Sequence, residues 1–234
     1  MLSVIIPVTK EDKRISNGLS SYISFFKENF QNNFELIIVS NGCTDLENNF
    51  LKENFNNKFL RKIFLQNMGK GSAIAEGFKA AKGSVVGFID MDDSFNHNDI
   101  KKVIKKVEGK SDCVIGSKWK NQKFSSVNEN FDKKILSRIW NIIVKILFGF
   151  QFEDTQAGLK FMKKKVLDDI GHEFLCKGFE FDVELLNRIG KKGYFIEEEF
   201  IENRFEDGST FKAYHCFPML YNVLKLKMLE IRNE

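Results

Sequence analysis

Residues 67–93 read NMGKGSAIAEGFKAAKGSVVGFIDMDD, and the order of features in this stretch decides the fold. A glycine-rich turn leads into a helix-forming run. The helix gives way to a short apolar, partly β-branched segment that ends in three carboxylates. Residues 84–89 suit a strand buried on both faces. Asp90, Asp92 and Asp93 follow at once, where a parallel sheet presents ligands beyond its carboxyl edge. Carboxylates in that place must be solvated, paired or metal-bound, because an isolated buried charge is costly.

The pattern repeats to either side. Strands are expected at 2–7, 35–40, 62–65, 84–90 and 112–117, and helices at 16–30, 45–54, 70–81 and 98–107. Alternation of this kind predicts an α/β fold whose mostly parallel central sheet is flanked by helices. Every strand's carboxyl end and its loop would then lie on one edge. After Trp119 the pattern changes. A polar, turn-like run at 121–130 precedes a long helix at 132–148, then the segment EDTQAGLKFMKK, a helix at 180–189, a strand at 194–201 and an amphipathic helix at 219–231.

With 234 residues the chain can bury a substantial core, and its 43% hydrophobic and 29% charged residues are ordinary for a globular protein. The expectation is a single domain over 1–234, with a nucleotide-binding half (1–118) and an acceptor-binding half (119–234). A net charge of only +4, with no interleaving of aromatic and basic residues, argues against a nucleic-acid partner. Cys43, Cys113, Cys176 and Cys216 form no C-x-x-C pair, which argues against zinc and gives no disulfide framework. The opening MLSVIIPV lacks a basic leader and a cleavage site and is read as a first strand. A reduced, cytoplasmic setting is the default expectation.

Two features of 67–93 carry chemistry. Gly69 and Gly71 permit a tight turn, and the helix after them would offer free backbone N–H groups to an anion. The turn is not a Walker A loop, since Phe64 stands where the first glycine belongs. Nor is it a dinucleotide fingerprint, with Ile74 in the third glycine position. Alternate residues of an extended segment point the same way, so Asp90 and Asp92 can face one cation. Their hard oxygens suit Mg²⁺ or Mn²⁺, with diphosphate oxygens and water completing the shell. Unit charges ~4 Å apart at an effective dielectric of ~20 interact by ~4 kcal/mol, so two bare aspartates would repel a diphosphate that a divalent ion would bridge. The plainer alternative is a solvated acidic turn capping the helix after His97.

The ordered run Asn67-x-Gly-Lys-Gly, Asp90-x-Asp92, Gly116-Ser117-Lys118, Asp154-Thr-Gln-Ala-Gly and Gly178-Phe-Glu-Phe-Asp182 resembles the family 2 glycosyltransferases. It is most similar to the branch that makes dolichyl- or polyprenyl-phosphate sugars. The resemblance implies a nucleotide-sugar-binding fold of the GT-A type and an inverting, metal-dependent transfer from a UDP-linked sugar. It implies that Pro7, Val8, Glu11, Ser40 and Asn41 surround the nucleotide, with Asn67 and Lys70 along the pocket. Asp90, Met91 and Asp92 would lie at the diphosphate, the two aspartates holding the metal. Lys118 would stand near the sugar or phosphates, and Arg204 near the phosphates. Asp154, Thr155 and Gln156 would face the transferred sugar and acceptor, with Glu180 and Asp182 completing the acceptor side. Asp154, Gln156 and Asp182 are the catalytic candidates. Glu153, Asp168 and Asp169 are read as capping or surface acids. Three positions depart from the family pattern: Ser40-Asn41 replaces two acids, Ser94 replaces a glutamine, and the closing motif reads Gly208-Ser209-Thr210 with Lys212 only nearby.

The implied acceptor is a polyprenyl or dolichyl phosphate met at the cytoplasmic membrane surface. The alternative within the class is a sugar hydroxyl of a capsule or other surface glycan, which would need a carboxylate base where an anionic phosphate does not. Two readings of another class are a sugar-phosphate nucleotidyltransferase and a non-catalytic binding module. The first needs a glycine- and arginine-rich loop after strand one, where this chain has PVTKEDKR. The helix around 135–148 is apolar beyond the needs of a surface helix and too short to span a bilayer. Its destinations are a membrane interface, the core or a homodimer interface.

Overall fold

The computed structural model describes residues 1–9, 13–55, 57–66, 69–202 and 216–233. The first half alternates β1 (Leu2–Thr9), α1 (Lys13–Phe30), β2 (Phe34–Asn41), α2 (Asp45–Asn54), β3 (Leu60–Leu65), α3 (Lys70–Ala80), β4 (Val85–Ile89), α4 (His97–Glu108) and β5 (Cys113–Ser117). The second half adds α5 (Phe131–Phe148), β6 (Leu159–Lys163), α6 (Lys164–Ile170), α7 (Phe181–Lys191), β7 (Ile196–Phe200) and α8 (Cys216–Asn233).

The seven strands form one sheet in the order β3-β2-β1-β4-β6-β5-β7. Strand side chains alternate between faces, so β1 feeds two cores. Val4 and Ile6 join α1 and α4 on one side. Ile5 joins α3, α6 and α7 on the other. All three are fully buried, which is why β1 reads as an unbroken apolar run. Local signals agree. Thr44 caps α2 in a reciprocal box with Glu47, and Asn96 caps α4 by accepting from Asn98 N–H.

One expectation is corrected. Strand β6 runs antiparallel between β4 and β5, with Ile89 opposite Leu159 and Val114 opposite Phe161. The chain leaves β5 at the carboxyl edge, and no crossover helix returns it to the amino edge before β6 begins. The next strand must therefore run backward. As a result it is the residues preceding β6, 154–158, that lie at the same edge as the loops following β2 and β4. The expected strand at 194–201 is present as β7, parallel to β5.

Candidate active site

Strand β4 ends at Ile89, so Asp90 stands at the sheet edge and Asp92 in the turn beyond it. Asp90 is held on several sides. Its N–H donates to Gly158 O at 2.9 Å, its carbonyl accepts from the buried Tyr22 hydroxyl at 2.8 Å, and its Oδ1 lies 2.6 Å from Lys70 Nζ. A Cβ at Gly158 would overlap the Asp90 carboxylate, so a glycine is required where β6 starts. Asp93 turns away. Its backbone is left-handed, and its carboxylate accepts from Ser21 Oγ at 2.7 Å and lies 2.9 Å from His97 Nε2. The acidic tip thus presents two carboxylates, not three.

Burial, then the charge of Asp90, raises the Asp92 carboxyl above its usual range. Ser94 N–H donates to Asp92 Oδ1 at 3.2 Å. No cation among the described residues pairs with Asp92. Behind the tip lies an alternating array. Asp182, at the start of α7, faces Lys160 Nζ at 2.7 Å, with side-chain exposures of 3% and 0%. Lys160 also donates to Ala157 O at 2.6 Å and sits 5.5 Å from the Phe88 ring centroid. Its approach to Asp182 is an ion pair without hydrogen-bond alignment, which leaves Asp182 Oδ1 without a directed donor. Burial raises the Asp182 carboxyl despite Lys160 and Lys70. Burial alone would lower the Lys70 ammonium, but Asp90 and Asp182 carry it above its usual value.

These five groups comprise two ammoniums and three carboxylates, a net charge of −1. A divalent cation would reverse that sign towards a diphosphate. Among the described residues no three His, Cys, Asp or Glu side chains converge. Asp90 and Asp92 offer hard carboxylate oxygens of the kind Mg²⁺ or Mn²⁺ takes, and an ion held by them would draw the rest of its shell from substrate oxygens and water.

The expected anion cradle at the start of α3 is not available. Gly71 N–H donates to Gly178 O and Ser72 N–H to Lys177 O, both at 3.2 Å, while Ala73 N–H closes on Gly69 O. Gly69, at φ +87°, and Gly71 are small because the 176–178 backbone lies against them. A Cβ at Gly71 would stand 2.8 Å from Cys176 O and 3.0 Å from Gly178 O. The turn joins the donor half to the acceptor half, with the N–H groups of Gly71 and Ser72 spent on that junction.

The acceptor-side residues come together, largely as anchored groups. Asp154 is 1% exposed. Its Oδ1 accepts from Gln156 N–H at 3.0 Å, its Oδ2 from Lys118 N–H at 3.3 Å, and its own N–H donates to Glu198 Oε1 at 2.8 Å. Thr155 N–H and Oγ1 both donate to Asn141 Oδ1 at 3.0 Å. With its amide oriented to satisfy both partners, Gln156 donates to Phe179 O at 3.2 Å and accepts from Trp140 Nε1 at 3.3 Å. Glu180 accepts from Gly178 N–H at 3.2 Å and from Asn222 Nδ2 at 2.8 Å. The Lys118 ammonium is held bidentately by Glu129 at 2.8 Å.

At the nucleotide end, Pro7 and Val8 are buried in β1 beside β2, with Val8 opposite Ser40. The Val8 side chain fills the core and Pro7 is buried, so what they can offer a ligand is backbone. Ser40 Oγ donates to Asn48 Oδ1 at 2.6 Å, and Asn41 is 5% exposed at the strand's end. Met91 packs its half-buried side chain on the core below the tip. Glu11, Asn67, Arg204 and the 208–212 motif lie outside the described residues.

Sequence reasoning did not find Lys160, Tyr22 or Asn141. Lys160 alone left a usable mark, as a lysine inside the apolar run LKFM. A charge there calls for a buried counter-charge.

Residues 3–171 match the sequence profile described as Glycosyl transferase family 2. A dolichyl-phosphate beta-glucosyltransferase from Saccharomyces cerevisiae is 32% identical, with 89% of this chain and 68% of that protein covered. The Trichomonas vaginalis protein dolichyl-phosphate beta-glucosyltransferase ALG5D is 28% identical, with 96% and 72% covered. Among solved structures, glucosyl-3-phosphoglycerate synthase from Mycobacterium tuberculosis, in complex with Mn²⁺, uridine diphosphate and glucosyl-3-phosphoglycerate, superposes with a TM-score of 0.67 at 16% identity. That superposition covers 98% of this chain and 78% of the other. At that identity the likeness speaks for the fold alone, which is of the GT-A type.

Proposed function

The chain belongs to glycosyl transferase family 2, and from that premise we propose that it moves a sugar, with inversion, from a UDP-linked donor to a polyprenyl or dolichyl phosphate. The relatives support glycosyl transfer from a nucleoside-diphosphate sugar. The choice of a lipid phosphate as acceptor rests on a single observation. The candidate acids on the acceptor side are buried and anchored within the protein, so none stands open to an incoming hydroxyl. Asp154 is 1% exposed and bound by two backbone N–H groups, Asp182 is locked against Lys160, and Glu180 is 3% exposed and caps its own loop. A hydroxyl acceptor needs a positioned base as the new bond forms. A phosphate acceptor is already anionic and needs positioning and cationic neighbours instead. The names of the two relatives point the same way.

In this reading an acceptor phosphate oxygen attacks the anomeric carbon from the face opposite the nucleotide. The bond from that carbon to the diphosphate breaks, and its electrons leave with UDP. A divalent cation held by Asp90 and Asp92 would supply Lewis-acid stabilisation of the leaving group. Lys70 places its ammonium beside Asp90 and bears on the same diphosphate. The sheet edge at Val8, Ser40 and Asn41 receives the base. Tyr22 and Gly158 fix where Asp90 stands, and Lys160 fixes Asp182.

Single-turnover reactions with radiolabelled UDP-sugars and Mn²⁺ test this, comparing a polyprenyl phosphate with oligosaccharide acceptors. Label should pass to the lipid phosphate and not in the presence of EDTA. Transfer only to sugar hydroxyls, or pyrophosphate release from a nucleoside triphosphate, would overturn the reading.

A further inference from the structure

Helices α5 and α8 meet through Trp140, Val144, Met219 and Val223, with Val183 of α7 beneath them. Lys227 Nζ lies 5.6 Å from the Phe148 ring centroid at the same junction. A helix packed on a core normally turns its charged side to water. These two turn apolar residues to it as well. Opposite its buried stripe, α5 exposes Phe131, Ile135, Ile139, Ile142 and Ile146, the last of them 78% exposed. Opposite its own, α8 exposes Phe217, Tyr221, Leu224, Met228 and Ile231. Exposed apolar surface on this scale marks an interaction site.

We propose that α5 and α8 together form a docking surface for an anionic phospholipid bilayer, on which the chain rests without crossing it. No helix among the described residues is long and apolar enough to cross a membrane. The charges bordering the stripes choose the occupant. Lys225 and Arg232 are the exposed charges of α8, and Lys134, Arg138 and Lys145 flank the α5 stripe half-buried. On the exposed face of α5 the one acid is Asp132, in its first turn. Glu230 of α8 is neutralised by Lys191 and Lys227. An apolar stripe bordered by cations suits the acyl boundary beneath anionic headgroups. A second copy placed face to face would set those cations against their own kind.

The surface is also wired to the acceptor side. Asn141 of α5 holds Thr155, Trp140 of α5 contacts Gln156, and Asn222 of α8 holds Glu180. A bilayer under these helices would therefore deliver a membrane-borne acceptor to the loops they anchor.

Co-sedimentation with vesicles of phosphatidylcholine, with and without phosphatidylserine, tests the surface in the absence of donor and acceptor. The chain should bind the phosphatidylserine vesicles, and Ile139→Glu/Ile146→Glu should weaken binding at least about tenfold. That variant should retain its melting temperature and its transfer to a short-chain, detergent-dispersed polyprenyl phosphate. If it is poorly folded, Tyr221→Ser/Met228→Ser serves instead. Unchanged sedimentation in a folded variant would overturn the proposal. So would sedimentation velocity showing that the substitutions dissolve a dimer that never bound vesicles. A chain that binds vesicles yet glycosylates no lipid phosphate keeps this inference and loses the proposed acceptor.

Discussion

Replacing Lys160 with methionine tests the buried array directly. The two side chains have similar length, so the change removes charge with little change in packing. It leaves the Asp182 carboxylate 3% exposed, with Lys70 the remaining cation that bears on it. Removing one partner of a buried pair costs about 3–5 kcal/mol when the other stays charged. The carboxyl can escape part of that cost by taking a proton. Each pH unit between the assay and its folded pKa is worth about 1.4 kcal/mol.

The sign follows from the direction of the shift. The Asp182 carboxyl is already raised above its usual 3.8, so the folded state keeps a proton that the unfolded chain has lost. Its contribution is most favourable in acid, falls as pH rises from about 3.8 through the folded pKa, and then levels off. Without Lys160 that window extends upward. Urea unfolding should therefore show Lys160→Met modestly destabilised at pH 5 and most destabilised near pH 8. The double variant Lys160→Met/Asp182→Asn should recover a large part of the pH 8 loss. A loss independent of pH, or a double variant as unstable as the two single losses combined, would refute the account.

Asp92→Ala should lower single-turnover transfer by at least about a hundredfold. Relief of repulsion with Asp90 should leave its melting temperature equal to or above that of the parent, and Mn²⁺ should no longer enhance nucleotide-dependent thermal stabilisation. Gly71→Ala would press a methyl onto Phe181 Cβ and the carbonyls of Cys176 and Gly178, so chemical denaturation should show a loss of about 1–3 kcal/mol. Asn141→Ala leaves Thr155 N–H and Oγ1 without their acceptor, a cost of about 1–3 kcal/mol. Steady-state kinetics of that variant should show a lower kcat with the donor KM unchanged.

The donor half was legible because its signals are local. Four of its strands, β1, β2, β4 and β5, centre on apolar runs closed by turn residues, and observed boundaries differ from the expected ones by no more than a few positions. The place of Asp90 and Asp92 at a strand end follows from the same pattern. Strand β6 and helix α6 were not legible. LKFMK carries a lysine at its second position, and only the tertiary pairing with Asp182 makes that lysine compatible with a buried strand. An anion site and a purely structural turn were equal readings of the start of α3, because the acceptors that decide between them, Lys177 and Gly178, lie more than a hundred residues away in sequence. Periodicity cannot register a contact of that range. The outward apolar stripe of α5 was visible as an excess of isoleucine, but which side faced out depended on where Trp140 and Val144 packed.

The backward strand also governs the order in which the sheet can be assembled. During synthesis β1 emerges first, and β2, β3 and β4 each find a neighbour already made. Strand β5 does not, because the place between it and β4 belongs to residues 159–163. Until those residues leave the ribosome, two unpaired edges, at β4 and β5, face each other across a gap. Unpaired edges are the hazard of a nascent sheet. A chain cut short before residue 159 would carry the whole donor half and still expose a sticky seam. The step that fills the gap between β4 and β5 is thus the step that brings the acceptor loop to the site.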